Sequence, residues 1–233
     1  KLIYYTNDNI NLFHNVSINF LLSKKYYDHF IIIKDYADKF YKQVSSKKVL
    51  SIIRGYDNEY IYPKIKKNDF KYKVIFIGSF EKSRSNYIKF LTDNGITVDV
   101  FGNGWEKVKS NKHLIIHNKP LYFDNYINVL HDSYIALNFF RKKNNDKTTS
   151  RTFEIPASGT LMISERSTEA LDIFKENVEA IYFSDKKELL EKVNMYSKNE
   201  KLRINIIKNA ILKIQKSNYS YQDIIKNILL LLK

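Results

Sequence analysis

Short runs that are apolar throughout alternate along this chain with stretches whose apolar residues recur every three or four positions. The first kind reads as strands buried on both faces, the second as helices that cover them. The pattern predicts strands over Leu2–Tyr5, His29–Ile33 and Val49–Ile53, with helices over Asn15–Lys24 and Tyr36–Val44 between them. Arg54–Phe70, polar and irregular with Pro63 inside it, reads as a linker. A second series follows, with strands over Lys73–Ile77, Thr97–Phe101, His113–His117, Ile135–Phe139, Leu161–Ser164 and Ala180–Phe183. Its helices are expected over Ser85–Asn94, Phe123–Asp132, Thr152–Ser158, Glu169–Glu176 and Lys186–Met195. Two such series predict an α/β protein of two Rossmann-like, doubly wound parallel-sheet units. The first unit, with three strands, falls short of the usual five or six and is expected to be incomplete.

The carboxyl end is helical. Leu202, Ile206, Ile207, Ala210, Ile211 and Ile214 form one apolar stripe. Ser220-Tyr221-Gln222-Asp223 resembles a capping box before a last helix over Ile224–Leu232, which is expected to pack on the core and alternatively to lie on a membrane surface.

Charge changes this picture only slightly. The 233 residues carry 39 lysines and arginines against 25 acidic residues, a formal charge of +14. Only six are arginines, at 54, 84, 141, 151, 166 and 203, and the lysines are spread almost evenly. That spread fits a solvated surface first, anionic lipid headgroups second and nucleic acid last, since no zinc-finger, helix-turn-helix or aromatic-basic motif accompanies it. The chain has no cysteine, which excludes disulfides and thiolate metal sites and makes a cytoplasmic location, possible on a membrane face, the simplest expectation. No apolar run approaches the ~20 residues of a spanning helix. The first residue is Lys1 rather than Met, so the amino terminus is expected to lie elsewhere.

Candidate chemistry concentrates where ligands bind open parallel sheets, on the loops after strands. Gly78 and Ser79 follow one strand, with Arg84 beyond them, a residue that suits either a phosphate or a helix surface. Gly102 and Gly104 follow the next, before Trp105, which either caps a pocket or fills a seam. His117 and Asn138 sit at later strand ends, where a ligand contact competes with ordinary capping and hydrogen bonding. His131 suits the carboxyl end of its helix, Asp8 and Glu165 read as loop charges, and Asp146 lies in a polar stretch, Lys142–Thr149, expected to be mobile. Most informative is Ser150-Arg151-Thr152-Phe153-Glu154-Ile155-Pro156-Ala157-Ser158-Gly159. Arg151 offers a planar fork of donors for phosphate oxygens, and Glu154 two acceptors for vicinal hydroxyls, one helical turn apart. A nucleotide-sugar requires both; an intrahelical ion pair is the competing reading.

These segments, in this order, resemble the spore-maturation-protein-B-like proteins of the glycosyl transferases group 1 superfamily. The Arg-x-Phe-Glu-Ile-Pro-Ala-x-Gly string is the specific part, and Asn218-Tyr219-Ser220-Tyr221 resembles that group's ending before its last helix. The resemblance covers roughly residues 70–233. It implies a GT-B fold, with an acceptor-side unit over 1–66, a donor unit over 67–216, and a last helix over 217–233 that returns to the first unit. It implies that Glu154 grips ribose hydroxyls, that Arg151 with the amides of Thr152 and Phe153 meets the diphosphate, and that Gly78, Ser79 and Arg84 add a second phosphate contact. Gly102, Trp105, His117 and Asn138 complete the implied donor site. It also implies a UDP- or GDP-sugar donor, no required cofactor or metal, and a glycan, lipid-linked sugar or protein as acceptor. Relatives often carry Glu eight residues before the ribose carboxylate; this chain has Asp146, which puts a retaining mechanism in doubt. A non-catalytic nucleotide-binding module and a basic membrane-surface scaffold are the alternatives.

Overall fold

The computed structural model describes residues 1–34, 49–67 and 69–232. Two parallel sheets organise the chain. The first contains β1 (Ile3–Thr6), β2 (His29–Ile33) and β3 (Val49–Ile52), in the order β1-β2-β3. The second contains β4 (Tyr72–Ile77), β5 (Val98–Phe101), β6 (Leu114–Ile116), β7 (Ser133–Asn138), β8 (Leu161–Glu165) and β9 (Ile181–Phe183). Its order, β6-β5-β4-β7-β8-β9, reverses direction at β4, so the loops after β4 and β7 diverge and open a crevice at the carboxyl ends of the strands.

Among the described residues the helices are α1 (Ile18–Ser23), α2 (Lys82–Asp93), α3 (Phe123–His131), α4 (Arg151–Ser158), α5 (Thr168–Ile173), α6 (Lys186–Lys198), α7 (Glu200–Gln215) and α8 (Tyr221–Leu231). Two apolar clusters cover the two faces of the large sheet. One joins Ile75, Ile77, Phe101, Phe153 and Tyr182; the other joins Phe76, Val100, Trp105, Leu137 and Ile163. Neighbouring strand residues enter opposite clusters, which is why these runs had to be apolar throughout. A smaller cluster of Ile10, Phe20, Phe30, Ile32 and Val49 supports the first sheet.

Several expected elements shift. The helix expected over Asn15–Lys24 is a 3-10 turn, Phe13–Asn15, followed by α1, because Ser17 caps α1 through the Phe20 amide. The helix expected over Tyr36–Val44 lies outside the described residues. Ser220 caps α8 as expected, accepting from the Asp223 amide at 3.1 Å, but the helix starts at Tyr221. The expectation that α8 packs on the core holds only for Ile224; Ile225, Leu229, Leu230 and Leu231 are exposed. Its ends touch the first unit: the Tyr56 amide donates to the Tyr219 carbonyl, the Tyr221 amide donates to the Tyr56 carbonyl, and Lys1 Nζ reaches the Leu232 carbonyl. Among the described residues, no helix is long and apolar enough to cross a membrane.

Candidate functional site

β4 ends at Ile77 and the chain turns at Gly78-Ser79 before α2. Gly102 sits beneath that turn with φ 138°, and a Cβ there would lie 2.2 Å from the Gly78 carbonyl oxygen. Only glycine permits this backbone-on-backbone contact. Trp105 is fully buried, and its indole Nε1 donates to the Gly78 carbonyl at 2.8 Å. Both residues shape the turn from below. The expectation that Gly102 and Trp105 touch a ligand is therefore corrected: one is consumed by packing, the other by the core and by that hydrogen bond.

The turn carries Arg84 into the crevice. Its Nη1 donates to the Ser79 carbonyl at 2.9 Å, its Nη2 lies 3.6 Å from Glu81, and its Nε is buried without a hydrogen-bond partner among the described residues. Burial pushes the Arg84 pKa down from its ordinary value; Glu81 opposes this, and Arg151 and Arg141 reinforce it. The guanidinium stays charged, so the site holds a partly desolvated cation facing other cations.

Arg151 opens α4. Its Nε donates to the Ile77 carbonyl at 2.9 Å, and its guanidinium stands 6.0 Å from the centre of the Tyr126 ring. One turn on, Glu154 Oε2 accepts the Tyr126 hydroxyl at 2.6 Å. Burial, with the Glu154 charge, raises the Tyr126 pKa well above its ordinary value, so the phenol remains a donor. The amides of Thr152 and Phe153 donate to the carbonyls of Thr149 and Ser150 at 3.0 and 2.9 Å, and both side chains are buried. These bonds engage the two amides the resemblance implied for the diphosphate. Asn138 is also internal: its amide donates to Thr152 Oγ1 and Ser164 Oγ, and its oxygen accepts from Thr149 Oγ1 at 2.9 Å. It ties the end of β7 to the start of α4, is fully buried and lies outside the lining of the crevice.

A cleft of about 920 Å³ lies above these loops. Gly78, Ser79, Arg84 and Arg151 line it, joined by Arg141, Lys142, Asp146 and Ser150. Asn7, Asp8 and Arg54 close it from the first unit. Asp8 is exposed, 3.8 Å from Arg141, which also stands 4.0 Å from Glu81. Glu154 lies just behind Arg151, outside this lining, and His117 is on another strand end. His117 Nε2 pairs with Asp99 at 2.8 Å and its ring stacks on Phe101 at 4.0 Å, which fixes the ring at the end of β6. His131 hydrogen-bonds the Tyr62 carbonyl at 3.0 Å. Glu165, expected as a loop charge, is buried in β8 and binds the Phe140 amide and Lys142.

Residues missed by sequence reasoning are Arg54 and Arg141. The scarcity of arginine was the available signal: four of the six, at 54, 84, 141 and 151, line one cleft. The stretch expected to be mobile is likewise corrected. Asn144, Asp146, Thr148 and Thr149 are buried, and Asp146 pairs with Arg54 at 3.3 Å.

Two parallel-sheet units facing a cleft at their strand ends define the GT-B class of α/β proteins. The chain belongs to the glycosyl transferase-like family, which matches residues 84–230, more than half of it. No functionally curated protein matches it in sequence. Among solved structures, Anabaena HepE in complex with UDP and glucose gives a TM-score of 0.74 at 11% identity, over 99% of this chain and 71% of its own. S. aureus TarM in complex with fondaparinux, alpha-GlcNAc-glycerol and UDP gives 0.69 at 13%, over 98% and 50%. Sucrose-phosphate synthase of Thermosynechococcus elongatus gives 0.70 at 11%, over 99% and 66%. At these identities the likeness is one of fold, and the chain spans only part of those proteins' length.

Proposed function

We propose that residues 67–216 form the donor unit of a glycosyltransferase that moves a sugar from a UDP- or GDP-sugar to a glycan, lipid-linked or protein acceptor. Residues 1–66 and the returning helix, 217–233, supply the acceptor side. The observation that carries this reading is the convergence of Arg84, Arg141 and Arg151 on one cleft beside the Gly78-Ser79 turn. Burial, with repulsion from Arg151 and Arg141, depresses the Arg84 pKa, and the attraction of an entering polyanion offsets both. A diphosphate leaving group is such an anion, and its charge grows as the glycosidic bond breaks. Arg84 and Arg151, held in place by the Ser79 and Ile77 carbonyls, meet that charge without reorganising. On this reading the guanidiniums do the work a metal ion does elsewhere, and activity survives chelators.

Glu154 takes the ribose. Tyr126 fixes one carboxylate oxygen, and among the described residues no hydrogen bond engages the other, Oε1. Complexes of the similar HepE and TarM proteins contain UDP, which favours a uridine donor. The test is release of nucleoside diphosphate from a panel of UDP- and GDP-sugars. Release abolished by Arg151→Ala in a folded protein supports the assignment, and unchanged release ends it.

We further propose that the protein seats on an anionic membrane. Phe13, Ile18, Leu22 and Tyr26 are exposed beside Lys24 and Lys25 on the first unit, a mixed apolar and basic face of the kind that seats on headgroups. Sedimentation with phosphatidylserine vesicles, but not with neutral ones, is the expected result. A Leu22→Glu variant that binds as well as the parent would contradict it.

A further inference from the structure

The loop over residues 142–149 joins the two units, and its contacts run in an unbroken line toward Arg151. From the first unit, Arg54 Nη2 reaches Asp146 Oδ1 at 3.3 Å and Nη1 donates to Thr148 Oγ1 at 3.1 Å. The Asn9 amide donates to Asn144 Oδ1 at 3.2 Å, and Asn9 Nδ2 donates to the Asn144 carbonyl at 3.1 Å. Asn15 Nδ2 adds a donor to Asn144 Oδ1 at 2.7 Å, while Asn144 Nδ2 donates to Asp146 Oδ1 at 2.6 Å. The next residues lock the helix start: Thr149 Oγ1 donates to Asn138, and the Thr149 amide donates to Thr152 Oγ1 at 3.0 Å. Arg151 lies between those two threonines.

We propose that Arg54, with Asn9 and Asn15, is a latch that holds the two units at one separation and sets the position of the helix start carrying Arg151. Arg54 is thus a positioning residue, and Asp146 is its anchor. The ion pair is buried, with side-chain exposures of 9% and 5%, so parting the units there breaks it together with the Thr148 and Asn144 hydrogen bonds, a strong restraint on cleft width. Asn144 contributes both its side chain and its carbonyl, which fixes the loop against sliding as well as against opening. The structural half of this proposal stands without a ligand; its consequence for the donor rests on the donor reading above.

The experiment pairs amide hydrogen exchange with UDP titration on the whole chain carrying Arg54→Gln, Arg54→Lys or Asn15→Ala. Arg54→Gln is expected to speed exchange over residues 144–152 by roughly tenfold or more, with β5 and β9 unchanged. UDP binding is expected to weaken several-fold, with partial recovery in Arg54→Lys, which keeps the charge and loses the fork. Unchanged exchange over 144–152 in folded Arg54→Gln overturns the latch. Should Arg54→Gln fail to fold, the milder Asn15→Ala decides by the same exchange window. Faster exchange with unaltered UDP affinity refutes the link to Arg151, and a parent protein that binds neither UDP nor GDP sinks the donor reading while leaving the exchange result to judge the latch.

Discussion

Replacing Arg151 by Met separates the ligand role of its guanidinium from its role as a strut. The methionine keeps an apolar stem near Tyr126 and removes every donor. Two consequences follow from the structure. The Ile77 carbonyl loses the 2.9 Å bond from Nε, a loss of about 1 kcal/mol. Against that, Arg84 loses a like-charged neighbour that depresses its pKa, which acts in the stabilising direction. The net change in folding stability is therefore expected to stay within about 1 kcal/mol. Diphosphate binding loses a hydrogen bond to a charged group, about 1.5–3 kcal/mol, or roughly 10- to 150-fold in Kd. Calorimetric titration with UDP and GDP measures the second quantity and urea denaturation the first. A folded variant with the parent's affinity would refute the reasoning. A stability loss as large as the affinity loss would show that Arg151 is a strut to β4 rather than a phosphate ligand.

Other expectations follow from the same geometry. Arg84→Met removes a buried guanidinium whose Nε lacks a partner, so stability should hold or rise while UDP affinity falls about tenfold; urea denaturation and calorimetry together check the split. Gly102→Ala drives a Cβ to 2.2 Å from the Gly78 carbonyl at a φ that L residues avoid, and should cost about 2 kcal/mol or more in urea denaturation, with disturbed UDP binding because the turn must move. Burial lowers the His131 pKa below its unfolded value near 6.5, so below that pH the unfolded chain binds more protons than the folded one. Stability is thus fully present above about pH 6.5 and falls as pH drops through the folded value, and His131→Asn should flatten this part of the stability profile.

The strands were legible because burial on both faces leaves an unbroken apolar run, and the loops of the crevice were legible because ligands gather at the carboxyl ends of such strands; the reversal of strand order at β4 was not. Arg151 was legible from its isolation in a lysine-rich chain. The loop over 142–149 was not, because its asparagines and aspartate look like solvent-facing residues until Asn9, Asn15 and Arg54, all more than ninety residues away, supply their partners. Trp105 after two glycines left a pocket cap and a seam filler both open, and the glycines let the loop fold tightly enough to bury it. Asn138 showed the same difficulty in reverse: a polar residue in a strand signals an obligatory partner, but sequence does not say whether that partner is a ligand or Thr149 and Thr152.

The cleft over Arg84 and Arg151 is expected to receive a nucleoside diphosphate. Calorimetric titration of the parent protein with UDP, GDP and the matching monophosphates, repeated on an Arg84→Met/Arg151→Met variant, tests it most directly. One diphosphate should bind one-to-one, its monophosphate at least tenfold more weakly, and the double variant should bind neither. A folded parent that binds no diphosphate, or that binds mono- and diphosphate equally well, would contradict the account.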